Sequence, residues 1–309
     1  MDRTAFACLQ THSILIHSTI PCAAQGYGPT ARRRAYVRLR QFGRARNRGP
    51  TLLAFYRWGY TGANVFMASG KLIAIEGIDG SGKRTQLELL SRTLKGRGVQ
   101  VHSTGFPHYD SWFGSMVGQF LNGNFGDLDA VDPHFAALLY AGDRFEAKRE
   151  LTDALAQGKL VLADRYIASN MAHQAARVPE GKRDEFIGWL EHLEYNLYGL
   201  PREDRVIYLR VPPAQAQALI SQKAARDYTT AKQDIQERSL RHLEEAAAMY
   251  DSLSRQPHWK TIECFDGTQN RMRTPQQISD DLLGLVEPVL PNQAEAASGA
   301  SVPAGQENR

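Results

Sequence analysis

Residues 71–85, KLIAIEGIDGSGKRT, decide how this 309-residue chain folds. Lys71–Glu76 is an apolar run of strand length, residues 77–82 form a turn with three glycines, and from residue 83 to about 97 Leu87, Leu90 and Leu94 share one helical face. Strand, glycine-rich turn and helix, in that order, are the setting in which the G-x-x-x-x-G-K spacing has physical meaning. The backbone N–H groups of Gly77, Ile78, Asp79, Gly80, Ser81 and Gly82 can curl around phosphate oxygens, and the helix N-terminus adds its partial positive charge. Lys83 is then placed to bridge the β- and γ-phosphates of a nucleotide.

One position departs from this pattern. The Ser or Thr that normally follows the lysine, and whose hydroxyl ligates Mg²⁺, is Arg84 here, with Thr85 one step later. An arginine cannot ligate a cation. Either Thr85 supplies the hydroxyl, or carboxylates and waters hold the metal while Arg84 stabilises charge on the transferred group; we expect the second.

The same strand–helix texture continues downstream. Strands are expected at 99–104, 160–164, 205–210 and 261–265, and helices at about 112–121, 134–156, 168–176, 182–198, 213–222, 234–254 and 276–286. This alternation predicts an α/β fold, a parallel five-stranded sheet with helices on both faces. The polar stretch 223–233 (KAARDYTTAKQ) fits a lid over the nucleotide, with Arg226 and Lys232 able to meet phosphates, or a solvated surface loop. Asp234 and Glu237 follow at helix-start spacing, where Asp234 reads as a cap.

Charge is unevenly spread. Residues 1–66 hold ten arginines and one acid, leaving 27 basic and 32 acidic residues in the remainder. The body is therefore mildly acidic, which disfavours a nucleic-acid-binding core. The basic segment has no sustained periodicity and is expected to be disordered. It reads as an organelle-type presequence, as a basic arm, or as translated sequence upstream of a native start at Met67, the reading we favour. Residues 67–290 form the expected folded domain, and the Ala/Ser/Gly/Pro tail at 291–309 is expected to be disordered. No run approaches the ~20 apolar residues of a membrane span. Three cysteines with no C-x-x-C pairing suit a reducing compartment, and the cytoplasm is the expected location.

A second cluster, Asp164-Arg165-Tyr166, ends the third expected strand, at the sheet edge where ligands bind. Asp164 can hold magnesium directly or through water, or cap a helix. Arg165 can grip an acceptor phosphate bidentately. Together with FPHY at 106–109, LLYAGDR at 138–144 and DRYIASN at 164–170, the loop at 76–85 resembles thymidylate kinase over about residues 71–290, and GKRT with ASN looks most like the mycobacterial branch.

The resemblance implies a P-loop nucleoside-monophosphate-kinase-like fold, ATP and dTMP as substrates, Mg²⁺, and a homodimer built on the helices at 134–156 and 182–198. It further implies that Asp79 sits between the two nucleotides near the 3′-OH and the metal, and that Glu237 is a metal ligand. Phe106 and Tyr140 would sandwich the pyrimidine, with Arg144 donating to O4 and Asn170 reading N3. Tyr109 and Arg165 would grip the 5′-phosphate, with Ser169 nearby. Tyr140 stands where the family usually has Phe. His173 replaces a tyrosine that crowds the sugar 2′ position in that branch. Gly105 and His108 stand where relatives carry arginines, so phosphate grip is expected to be weaker or pH-sensitive. Rival readings are another pyrimidine nucleotide or deoxynucleoside kinase, and a non-catalytic nucleotide-binding protein. A GTPase-type switch is disfavoured because no N/T-K-x-D element occurs.

Overall fold

The computed structural model describes residues 70–221 and 240–291. The basic segment 1–66 with Met67, the stretch 223–233 with Arg226 and Lys232, Asp234 and Glu237, and the tail beyond Pro291 lie outside the described residues.

The chain runs β1 (Lys71–Glu76), α1 (Lys83–Gly96), β2 (Val101–Gly105), α2 (Trp112–Leu121), α3 (Pro133–Ala156), β3 (Leu160–Asp164), α4 (Ile167–Ala175), α5 (Arg183–Glu191), β4 (Arg205–Arg210), α6 (Pro213–Ser221), α7 (Leu240–Leu253), β5 (Trp259–Glu263), β6 (Phe265–Asp266), β7 (Arg271–Met272) and α8 (Pro275–Val286). Five strands form a parallel sheet in the order β2-β3-β1-β4-β5. β1 is central, which explains its composition: Leu72, Ile73, Ala74 and Ile75 are all fully buried. Consecutive strand residues face opposite ways, so four buried in succession means that helices cover both faces. Truncating Ile73 to Ala in such a place costs ~2–5 kcal/mol.

Register positions the site. Ile75 pairs with Asp164, so the glycine-rich loop after β1 and the Asp164–Arg165 pair after β3 leave the sheet side by side. The sequence expectation holds in outline and differs in detail. β2 starts two residues late because the Val99 amide donates back to Leu94 O and closes α1. The expected helix at 182–198 is not continuous: α5 ends at Glu191 and passes into one widened π turn over His192–Leu197. β5 lies two residues earlier than expected, where Trp259 and Ile262 can be buried. The β6–β7 hairpin carries no alternating pattern and was not expected.

Candidate active site

Gly82 caps α1 in the left-handed conformation (φ +86°) and offers no side-chain acceptor, so the first amides of α1 keep their capacity for an anion. Gly80 is also left-handed (φ +82°), and a Cβ there would lie 2.4 Å from the carbonyl oxygen of Ala216. Only glycine fits. The Lys83 ammonium is buried and donates to Gly77 O at 3.0 Å and to Ile78 O at 2.9 Å. Burial, and then the Arg165 charge, push its pKa down to about 7 against the pull of Asp79, Asp164 and Glu76. Arg84 and Thr85 are exposed in the first turn of α1, and Arg84 pairs with Glu88 at 3.1 Å.

Arg165 adopts a left-handed backbone (φ +67°), a conformation that costs a non-glycine residue about 1–3 kcal/mol and clusters at functional sites. Its guanidinium donates to Gly77 O (3.2 Å), to Ser169 Oγ (3.0 Å) and to Asp79 Oδ1 (2.7 Å). Burial opposes its charge, but Asp79 and the other acids around it hold its pKa well above the usual value. Lys83 and Arg165, one from each loop, thus converge on a single carbonyl oxygen. Two cations drawn together in this way form a receptacle for anions.

Beyond them a cleft of about 970 Å³ is lined by Asp79, Gly80, Gly82, Lys83, Arg84, Thr85, Phe106, Tyr109, Tyr140, Arg144, Asp164, Arg165, Ser169, Asn170 and His173. That size lies at the upper end of the usual small-molecule range of ~300–1,000 Å³. Phe106 is held by tilted contacts with His108 (4.7 Å between centroids) and Tyr166 (5.8 Å), and Tyr140 meets Phe120 edge-on at 6.3 Å. His108 faces Thr104 Oγ1 at 3.0 Å, and its backbone amide donates to the buried Asp143 carboxylate. His173 packs on His242, with Nδ1 and Nε2 3.3 Å apart. Burial and then Arg165 depress the His173 pKa well below the histidine norm. Of the expected site residues, Gly77, Ile78 and Ser81 are buried and do not line the cleft, and Arg226 and Glu237 lie outside the described residues.

Magnesium fits the donors present. Asp164 Oδ1 is buried without a hydrogen-bond partner. Among the described residues no group of three or more His, Cys, Asp or Glu could hold a metal. One or two carboxylates, completed by water and phosphate oxygens, is the arrangement Mg²⁺ favours.

Several functional groups were not singled out from the sequence. Glu76, fully buried at the end of β1, accepts from Tyr166 N (2.7 Å), Ser169 N (3.1 Å), Ser169 Oγ (2.6 Å) and Tyr250 Oη (2.8 Å). It caps α4, whose N-cap residue Tyr166 provides no side-chain bond of its own. Glu194 binds Arg144 and Asn170 from beneath the cleft. Gln174 lines the cleft with a buried Nε2 that has no partner, its Oε1 being held by Arg177 Nη1 at 2.7 Å. Gln174 had a findable signal, since it lies one helical turn after Asn170, and Glu76 heads the quoted segment 76–85.

These features define a P-loop nucleotide-binding protein of the parallel α/β class. The thymidylate kinase family model matches residues 75–271. The thymidylate kinase of Mycobacterium tuberculosis (strain H37Rv) is 35% identical over 186 residues, 60% of this chain and 86% of that protein. That of Plasmodium falciparum is 32% identical over 148 residues, 48% of this chain and 65% of that protein. A solved thymidylate kinase from Candida albicans shares the fold, with a TM-score of 0.56 and 22% identity over 72% of this chain and 92% of the other. The chain belongs to the thymidylate kinase family.

Proposed function

We propose that this protein transfers the γ-phosphoryl group of ATP to dTMP, giving dTDP and ADP. The observation that carries this reading is the convergence of Lys83 and Arg165 on Gly77 O: one cation comes from the loop that would cradle a triphosphate and the other from the strand end that would hold a monoester. Catalysis on this reading is positioning and charge stabilisation, with no covalent intermediate. On ATP binding, the Lys83 ammonium exchanges its bonds to the loop carbonyls for β- and γ-phosphate oxygens. Arg165 and Tyr109 hold the 5′-phosphate of dTMP, and Ser169 and Asp79 keep the Arg165 guanidinium in place. Phe106 and Tyr140 bracket the pyrimidine, Arg144 donates to its O4, and Asn170 reads N3. Arg84 leaves Glu88 and stabilises charge on the group in flight. Asp164 and Asp79, with Glu237 from outside the described residues, would hold Mg²⁺, which when bound neutralises the phosphate oxygens.

The kinase domain spans residues 67–290, with a lid at about 223–233, an N-terminal extension before it and a tail after it. The enzyme works in the cytoplasm as a homodimer. Exposed Phe135, Leu138 and Phe145 on α3, with Leu197 in the π turn, supply an apolar surface for the partner copy. No described helix is long and apolar enough to cross a membrane.

A coupled ADP-release assay across dTMP, dUMP, dCMP and thymidine tests the substrate. We expect the highest kcat/KM with dTMP; preference for dCMP or thymidine would contradict the reading.

A further inference from the structure

We infer that Glu194 is the positioning residue that gives the cleft its preference for a pyrimidine carrying a 4-keto group and a protonated N3. This rests on the proposed reaction with dTMP and deepens it.

Glu194 is fully buried, and both carboxylate oxygens are engaged. Oε2 accepts from Arg144 Nε at 2.5 Å, and Oε1 accepts from Arg144 Nη2 at 2.7 Å and from Asn170 Nδ2 at 2.9 Å. The side-on grip uses one edge of the guanidinium, which leaves the Nη1 amino group on the opposite edge as a donor for the cleft that Arg144 lines. Burial opposes the charge of Arg144, and Glu194, with smaller help from Asp143 and Tyr166, raises its pKa above the usual value.

The effect on Asn170 is more specific. Its amide nitrogen donates to Glu194 Oε1 and to Ala137 O (3.0 Å), so both of its hydrogens are spent. Both partners are pure acceptors, which fixes the amide against turning over. What remains is Oδ1, buried, without a partner, and at the cleft wall. Asparagine is able both to donate and to accept, and here it can only accept. One carboxylate therefore writes two neighbouring letters, a donor at Arg144 and an acceptor at Asn170. A 4-keto pyrimidine with N3–H answers both. Cytosine, with an amine at C4 and a bare N3, answers neither, leaving buried polar groups unpaired in exchange.

The local backbone is adapted to this placement. Glu194 sits in the π turn His192–Leu197, a feature frequent at functional sites. Its own carbonyl accepts from Leu200 N at 3.0 Å, which keeps the turn closed. The family resemblance assigns roles to Arg144 and Asn170, and none to the group that orients them.

Glu194→Gln tests the inference with little change of volume. A glutamine amide must present its NH₂ either to Arg144 Nε–H, or to Arg144 Nη2 and Asn170 together. In the first case the guanidinium loses its side-on grip. In the second Asn170 turns over and shows the cleft a donor.

Steady-state kinetics on wild type and variant with dTMP, dCMP and ATP, alongside thermal melts, give the readout. For the variant we expect KM for dTMP to rise at least tenfold, kcat to stay within about threefold, KM for ATP to be unchanged, and the dTMP-to-dCMP ratio of kcat/KM to shrink at least tenfold. A folded variant that keeps the wild-type ratio within threefold overturns the inference and leaves the proposed reaction standing. A wild-type enzyme that prefers dCMP overturns both. If Glu194→Gln does not fold, Glu194→Asp serves, since it keeps the charge but withdraws it by one methylene. It should raise KM for dTMP at least fivefold without touching KM for ATP, and kinetics matching wild type would overturn the inference.

Discussion

Replacing His242 with glutamine should flatten the acid side of this protein's stability curve, and the size of the effect follows from where the ring lies. His242, on α7, is buried, with Nε2 at 3.3 Å from His173 Nδ1. Burial, and then the charge of Arg177, depress its pKa from 6.5 to about 4, against the opposite pull of Asp79, Glu245 and Asp129. An unfolded chain protonates this histidine below ~6.5, whereas the folded chain does not until about 4. Stability is therefore at its full value above ~7 and falls as pH drops through this window. At ~1.4 kcal/mol per pH unit the loss at pH 5 is about 2 kcal/mol. For a folded region of this size that corresponds to about 4–8 °C in Tm. Glutamine can keep a polar atom near His173 and cannot titrate. Melts followed by circular dichroism at pH 5 and pH 7.5 should show wild type losing about 4–8 °C more than His242→Gln. His173 stays in both proteins, and burial and Arg165, the two largest causes of its own shift, are untouched by the substitution. Parallel curves, within about 2 °C, would refute the reasoning, because the acid loss would then have to come from groups other than His242.

Three further outcomes follow from the geometry. Because Lys83 titrates near 7 before ATP arrives, and the triphosphate raises its pKa, ATP binding should take up a proton above that pH and weaken as pH rises. Calorimetry at pH 8.5 in buffers of different ionisation enthalpy should detect the uptake in wild type and not in Lys83→Met. Arg84→Ser should lower kcat at least a hundredfold and change ATP affinity less than threefold, measured by single-turnover kinetics beside equilibrium titration; equal losses in both would remove Arg84 from the transition state. On the proposed homodimer, Phe145→Glu, which puts a charge at a half-exposed aromatic on α3, should leave a monomer in sedimentation velocity where wild type runs as a dimer; an unchanged dimer would exclude that face.

What the sequence made legible was what neighbouring residues encode. β1, its glycine turn and α1 are a local pattern, and the structure follows it to within a residue at Lys71–Glu76 and Lys83–Gly96. Asp164–Arg165 was legible as a strand end, and only the β1–β3 register shows why it matters. Pairing across long stretches of chain left no mark in the sequence. Glu194 reaches Arg144 over 50 residues, His242 meets His173 over 69, and Tyr250 donates to Glu76 over 174. None of Glu194, His242 and Tyr250 stands in a motif, because their spacing from their partners is set by the path of the fold and not by any helical or strand period. The π turn at His192–Leu197 was hidden because its composition is that of an ordinary helix.

The most direct measurement follows the phosphorus itself. Incubating the protein with magnesium, γ-³²P-labelled ATP and dTMP, then resolving the nucleotides, should place the label in dTDP, and Lys83→Met and Arg165→Ala should each abolish the transfer. Label appearing only as inorganic phosphate, or remaining in ATP with a folded wild-type protein, would contradict the claim that Lys83 and Arg165 bring two phosphates together.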